Sequence, residues 1–323
     1  MDNVHTAAAV AGVRRGLSTP SYFARELNRL YNRQLFRYEY NIDGVDVMEE
    51  EWDNLIVLDA CRYDLFADHH DLPGTLERRI SRGSHTVEFL IGNFSGKDLL
   101  DTVYVTASPQ LHRRHDRINT VFHDVINVWQ REWDEEHGTV LPETMTKYGR
   151  RAAKRYPNKR LIIHYIQPHY PFIENPEIDV GRRLQMTNGG KDIWEQLLAG
   201  ETTVSRDDIW QAYRNNFRRV LPSIHELLDL LVGASVVTSD HGNMIGERSS
   251  PLPIREWGHP SGTYTEELVM VPWQVIPSTE RRNIRSEPPK NRQQMISSDP
   301  PESRRRSTEH IARDRLRDLG YYD

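Results

Sequence analysis

The stretch Asn54 to Ala60, NLIVLDA, decides how the rest of the chain is read. Leu55, Ile56, Val57 and Leu58 form an unbroken apolar run that stops at Asp59. A short run without polar alternation suits a strand buried on both faces, as in a parallel sheet covered by helices. Similar runs follow at 102–106 (TVYVT), 160–167 (RLIIHYIQ), 234–240 (ASVVTSD) and 268–275 (LVMVPWQV). Pro272 places the last at a sheet edge or an irregularity. Helical spacing fills the intervals at roughly 86–100, 142–156 and 205–232, and Pro222 is a point at which the third can break in two. Strands alternating with helices predict an α/β fold, a three-layer sandwich with a largely parallel central sheet flanked by helices.

The central domain spans 51–276. Residues 1–50 read as a peripheral helical segment, in which Phe23, Leu27 and Leu30 share a face expected to pack on something. From Pro277 the composition turns to Arg, Ser and Pro, so 277–323 reads as a flexible tail. The tail ends in a short helix near 307–319, with Ile311, Leu316 and Leu319 as docking points, and Arg304–Arg306 reads as a solvated triplet.

Composition narrows the classes. The chain has 323 residues, 42 Lys+Arg and 47 Asp+Glu, for a net charge of −5. Its mild acidity argues against a specific nucleic-acid partner. No apolar stretch approaches the roughly 18–20 residues of a membrane span. The only cysteine, Cys61, rules out internal disulfides and Cys-rich zinc sites and suits a small buried residue. The N-terminus has an Ala-rich run, but Arg14 and Arg15 follow it, the reverse of a secretory leader. The expected location is cytoplasmic.

Ligands of open α/β sheets gather at the carboxyl ends of strands. Asp59 closes the first strand, Asp240 the fourth with His241 and Gly242 directly after it, and His169 lies just past the third. Carboxylate and imidazole together suit Zn, Mn or a similar divalent ion. Asp59 can instead cap the following helix, 240–242 can be a plain turn, and His164 can be a hydrogen-bonded core histidine. His169 and His259 neighbour prolines, in loops rigid enough to hold an imidazole. Ser81, Ser84 and Thr86 precede or open a helix, where a hydroxyl can serve as a nucleophile or as an ordinary N-cap.

These segments together resemble the alkaline phosphatase superfamily, in particular its sulfatase-like branch, and are similar to lipoteichoic acid synthase and phosphoethanolamine transferase-type catalytic domains. The matching parts are NLIVLDA, GSHTVEF (83–89), HYIQPHYPF (164–172), VVTSDHGNMIGE (236–247) and GHPSGTYTEELVMVPW (258–273), which occur in the family's order. The resemblance implies a centre for a divalent ion (Zn, Mn, Mg or Ca) formed by Asp59, Ser84, Asp240 and His241. Ser84 takes the nucleophile position, with Thr86 and Ser81 in reserve, and His169 and His259 bind the transferred group or a second ion. The family's formylglycine motif is missing, since Cys61 stands in CRYDL without its Pro and Arg. Tyr165 occupies the position four before His169 where a second-metal ligand would stand, so one ion is the expectation. The implied activity is a metal-dependent hydrolase of phosphate mono- or diesters acting through a covalent Ser intermediate. The alternatives are a transferase moving a phospho-substituent onto a glycan or lipid head group, and a non-catalytic binding module. Arg62 can hold phosphate or pair with Asp64, and the segments 109–137 and 175–203 are expected to shape specificity.

Overall fold

A computed structural model describes residues 20–35, 37–179, 192–290 and 302–319. Seven strands form one sheet: β1 Asn54–Asp59, β2 Thr75–Ile80, β3 Asp98–Thr106, β4 Val121–Asn127, β5 Arg160–Pro168, β6 Ser235–Ser239 and, after a separate hairpin of β7 Met244–Arg248 and β8 Arg255–Gly258, β9 Met270–Ile276. The sheet order is β2-β9-β6-β1-β5-β3-β4. The run from β6 to β4 is parallel, and β9 is antiparallel to both β6 and β2. The helices used below are α1 Pro20–Asn32, α2 Tyr63–His69, α3 Thr86–Phe94, α4 Pro142–Arg155, α5 Ile193–Ala199, α6 Arg206–Leu228 and α7 Glu302–Asp318.

The apolar run of β1 is explained by its place at the centre. Ile56 and Leu58 join a core with Leu65 and Phe66 of α2, Met145 of α4 and Phe217 of α6. Leu55 and Val57 join a second core on the opposite face with Phe89, Leu90 and Phe94 of α3. All four are fully buried, each worth about 1.5–3 kcal/mol of transfer free energy. Two cores separated by the sheet make the three layers. Within this sheet the strands that periodicity did not reveal are those with a polar face: β2 (TLERRI) and β4 (VFHDVIN) are the two edges, and neither has an apolar run.

Several expectations are revised. The strand bearing Pro272 is interior, between β2 and β6, but its ladder to β6 ends at Trp273 opposite Thr238. Pro272 stands one residue beyond that ladder, so its missing N–H costs no bond there, while its carbonyl accepts from Thr238 Oγ1 at 2.7 Å. Pro222 lies inside α6, which continues unbroken with Pro222 on its exposed side. Helix α3 stops at Phe94 because β3 begins at Asp98. On α1 the polar face packs and the apolar one does not: Arg25 pairs with Glu256, Asn28 bonds Ser249, and Asn32 bonds the Gly262 carbonyl, leaving Phe23 and Leu27 exposed. Residues 281–290, read from composition as solvated linker, lie along the domain. Arg281 pairs with Asp53, and the amides of Arg285, Glu287 and Lys290 bond the carbonyls of Asn158, Leu100 and His123. Ala312, Leu316 and Leu319 bury the C-terminal helix and Ile311 stays exposed. Residues 291–301 of the tail and the side chains of Arg304–Arg306 lie outside the described residues. Among the described residues no helix is long and apolar enough to cross a membrane.

Candidate metal centre

Strand register builds the site. Leu58 of β1 lies opposite Ser239 of β6, so the next residue on each strand, Asp59 and Asp240, emerges side by side at the carboxyl edge of the sheet. On the other flank Asp59 is in register with Pro168 of β5, and the His169 amide donates to the Asp59 carbonyl at 3.1 Å. Three neighbouring parallel strands therefore deliver Asp59, Asp240, His241 and His169 to one volume. Asp59, Asp240 and His241 are fully buried and His169 is nearly so.

Local contacts fix these backbones. Ala60 adopts a left-handed conformation (φ +58°), donates to Asp240 Oδ1 at 3.1 Å and accepts from the Tyr213 hydroxyl of α6. The Cys61 amide donates to Ser239 Oγ at 2.8 Å. Gly242 has no room for a side chain, since a Cβ there would lie 2.0 Å from the Glu267 carbonyl oxygen. Ser81 Oγ bonds the Asp240 carbonyl, which makes Ser81 a backbone clamp.

The carboxylate and imidazole atoms of Asp59, Asp240 and His241 lie within 4.8 Å of one another. His241 Nε2 is 3.4 Å from Asp59 Oδ1, 3.5 Å from Asp240 Oδ2 and 3.4 Å from Thr86 Oγ1. These separations exceed the roughly 2.7–2.9 Å of a charge-assisted hydrogen bond. They match the edge of a tetrahedron whose corners are about 2.0–2.1 Å from a central ion, which is about 3.4 Å. Among the described residues Asp240 Oδ2 is buried with no hydrogen-bond partner, and His164 Nε2, 3.6 Å away, is the same. A buried, unpartnered carboxylate oxygen calls for an explanation, and a divalent ion supplies one. His241 is prepared for it: Nδ1 donates to the Gly242 carbonyl at 2.7 Å, turning the Nε2 lone pair inward. The donor set fits a divalent cation.

The electrostatics agree. Burial opposes a charge on His241, but Asp240 and Asp59 outweigh it and its pKa is pushed up to about 9. Burial would raise the Asp240 carboxyl, yet His241, His164 and the Ala60 amide hold it well below the usual range. The pocket attracts positive charge. His169 and His259 behave in the opposite way: burial drives both pKa values down, for His259 reinforced by His169, His241 and His85. The pair is bonded Nε2 to Nε2 at 2.7 Å. Because His169 Nδ1 contacts the Tyr170 carbonyl, which can only accept, the neutral ring donates there and His259 Nε2–H donates to His169.

Structure and expectation part at the hydroxyl. Ser84, expected as nucleophile and metal ligand, is turned away: its Oγ bonds Glu88 Oε2 at 2.8 Å and accepts from the Gly262 amide at 2.9 Å. The cause is local, because Glu88, four residues on, also takes the Ser84 amide at 2.9 Å and captures the whole residue. The hydroxyl against His241 is that of Thr86, the first residue of α3. The α3 N-cap is His85, whose Nδ1 accepts from the Val87 amide at 2.9 Å. Arg62 pairs with Asp64 and Glu247, and Asp59 does not cap α2, which starts after Arg62. His164 is a second-layer residue, held by Tyr104 Oη at 2.7 Å.

Two positioning residues carried little or no signal in the sequence. Glu88 binds Arg33, Ser84, Ser261 and Gly262, joining the turn after α1 and the start of α3 to the loop that carries His259. Asn216 of α6 donates to the carbonyls of Pro168, His169 and Pro171 at 2.8–3.2 Å and accepts from the Ile173 amide at 3.0 Å, pinning the His169 loop. Asn216→Leu is expected to lower stability by about 2–3 kcal/mol through the unmade bonds. It should also cut turnover in protein that remains folded, as read by denaturant unfolding beside an ester-cleavage assay. Full activity would mean that the loop holds its shape unaided.

No family model and no curated protein matches the sequence. Solved structures do match. The C-terminal periplasmic domain of EcEptC from Escherichia coli, in complex with Zn, is 12% identical, with 72% of this chain and 75% of that chain covered at a TM-score of 0.42. The soluble domain of lipooligosaccharide phosphoethanolamine transferase A from Neisseria meningitidis is 16% identical, with coverages of 69% and 77% and a TM-score of 0.38. The C-terminal periplasmic domain of phosphoethanolamine transferase EptC from Campylobacter jejuni is 16% identical, with coverages of 69% and 78% and a TM-score of 0.40. The cytoplasmic location expected above is corrected: two of these three domains are periplasmic, and that placement is withdrawn. The solved structures to which this chain is similar include soluble domains of phosphoethanolamine transferases.

Proposed function

We propose that this protein is a metal-dependent enzyme of the alkaline phosphatase type that transfers a phospho-substituent from an ester to a hydroxyl acceptor through a covalent intermediate on Thr86. The observation that carries the reading is the position of Thr86 Oγ1, 3.4 Å from His241 Nε2 beside Asp59 and Asp240, at the first turn of α3. Asp59, Asp240, His241 and Thr86 would hold the ion, which when bound acidifies the hydroxyl and draws charge from the phosphoryl group.

The residues supply the remaining functions. Thr86 Oγ1 attacks phosphorus as the bond to the leaving oxygen breaks. The Thr86 proton ends on the leaving alcohol, with neutral His259 accepting it as the hydroxyl attacks and returning it to the leaving oxygen. An acceptor hydroxyl then reverses the sequence and releases Thr86. Shielding favours transfer over hydrolysis: Thr86, Asp59, Asp240 and His241 are all fully buried, so an intermediate there is kept from bulk water. An alcohol on a lipid or glycan head group is the acceptor class to test first. The test is product analysis of a phosphodiester donor incubated with and without ethanolamine or glycerol. Transfer predicts a new phosphodiester at the expense of free phosphomonoester, whereas hydrolysis products unchanged by either alcohol would overturn it.

A further inference from the structure

A cavity of about 370 Å³ opens at the other end of the sheet, lined by Arg150, Ala153, Lys154, Pro157, Leu230, Val232 and the segment Arg281–Asn283. Pro157 precedes β5 and Val232 precedes β6, so the cavity faces the amino ends of the strands whose carboxyl ends carry the metal centre. The eight residues from Val232 to Asp240 set the two apart by roughly 25 Å of extended chain. Among the described residues four cations line the cavity and no carboxylate does, in a chain of net charge −5.

Their pairing is incomplete. Arg281 meets Asp53 at 2.7 Å and Glu51 only at 3.9 Å, and Arg150 meets Glu226 at 3.9 Å. Lys154 and Arg282 have no carboxylate partner among the described residues. Arg282 is held in place by the carbonyls of Val232 (2.9 Å), Tyr156 and Lys159 (both 3.3 Å), so its guanidinium is positioned without being neutralised. Basic residues at a helix C-terminus can simply balance the dipole, and α4 ends at this cavity. Arg281 and Arg282 belong to no helix, and that account leaves them unexplained. Leu230 and Val232 stand in the same cavity 45% and 52% exposed.

We propose that this cavity is a second binding site, for an organic phosphate with a short aliphatic portion. The guanidinium forks and Lys154 take the phosphate oxygens, and Leu230 and Val232 take the hydrocarbon.

The test is calorimetric titration of the intact protein with hexyl phosphate and with inorganic phosphate. The variants are Arg150→Gln with Lys154→Gln, both exposed, and separately Val232→Ser. Wild type should show a salt-sensitive component for hexyl phosphate that the double variant weakens at least tenfold while phosphodiester turnover stays unchanged. Val232→Ser should weaken hexyl phosphate and leave inorganic phosphate alone. Hexyl phosphate binding that is identical in wild type and the double variant would put it in the catalytic centre and overturn the proposal, as would no binding by wild type. A failure of the Thr86 chemistry would leave the binding readings untouched.

Discussion

Thr86→Ala is expected to lower phosphodiester turnover by about 10³-fold or more, the scale seen when a nucleophile is removed from a preorganised site, with the fold retained. The expectation rests on geometry. Thr86 Oγ1 stands against His241 at the carboxylate cluster, while Ser84 and Ser81 are engaged elsewhere, with Glu88 and the Asp240 carbonyl respectively. Ser84→Ala is the informative control. It removes a bond to a buried carboxylate that Arg33 and the Gly262 amide still hold, so it should cost about 1–3 kcal/mol of stability and leave the chemistry largely in place. Thr86→Ser should retain measurable turnover, since it keeps the oxygen. Kinetics of the three variants beside thermal melts separate the roles. If Ser84→Ala abolished turnover and Thr86→Ala did not, the nucleophile would be misassigned.

Asp240→Asn is expected to weaken divalent-metal affinity by at least about 100-fold, because even outer-shell partners of a ligand cost 10–100-fold. Turnover should fall with it. The change is nearly isosteric, and the Oδ1 position that accepts from the Ala60 and His241 amides can stay filled by the amide oxygen. What disappears is the charge, and with it part of the pull that raises the His241 pKa to about 9, the rest coming from Asp59. The variant should therefore fold and purify without metal, as elemental analysis of dialysed protein would show. Wild-type metal content in the variant would remove Asp240 from the ligand set.

How much of this was legible follows from how far each signal reaches. Leu55–Leu58 announced a central strand because burial on both faces leaves no polar position. Asp59 and Asp240 could be singled out because parallel strands end together at one edge. The edges β2 and β4 carry polar faces and gave no apolar run to read. The orientation of three hydroxyls within six residues was beyond reach, because it turned on an i to i+4 contact between Ser84 and Glu88. The spacing was visible in the sequence, but its strength depends on Arg33 and Gly262 from distant segments. Asn216 was hidden for a similar reason: nothing in a polar residue of an amphipathic helix tells which loop its amide will bind. On α1 the apolar stripe pointed to the wrong packing face, because Arg25 and Asn28 have specific partners on the domain.

The central claim is that Asp59, Asp240, His241 and Thr86 converge on one cation. Anomalous diffraction at the zinc or manganese edge, from crystals of metal-loaded protein, tests it most directly. The account predicts a single strong peak within about 2.3 Å of a carboxylate oxygen of each aspartate, His241 Nε2 and Thr86 Oγ1. A peak coordinated by Ser84 in place of Thr86, or no peak between Asp59 and Asp240, would contradict it.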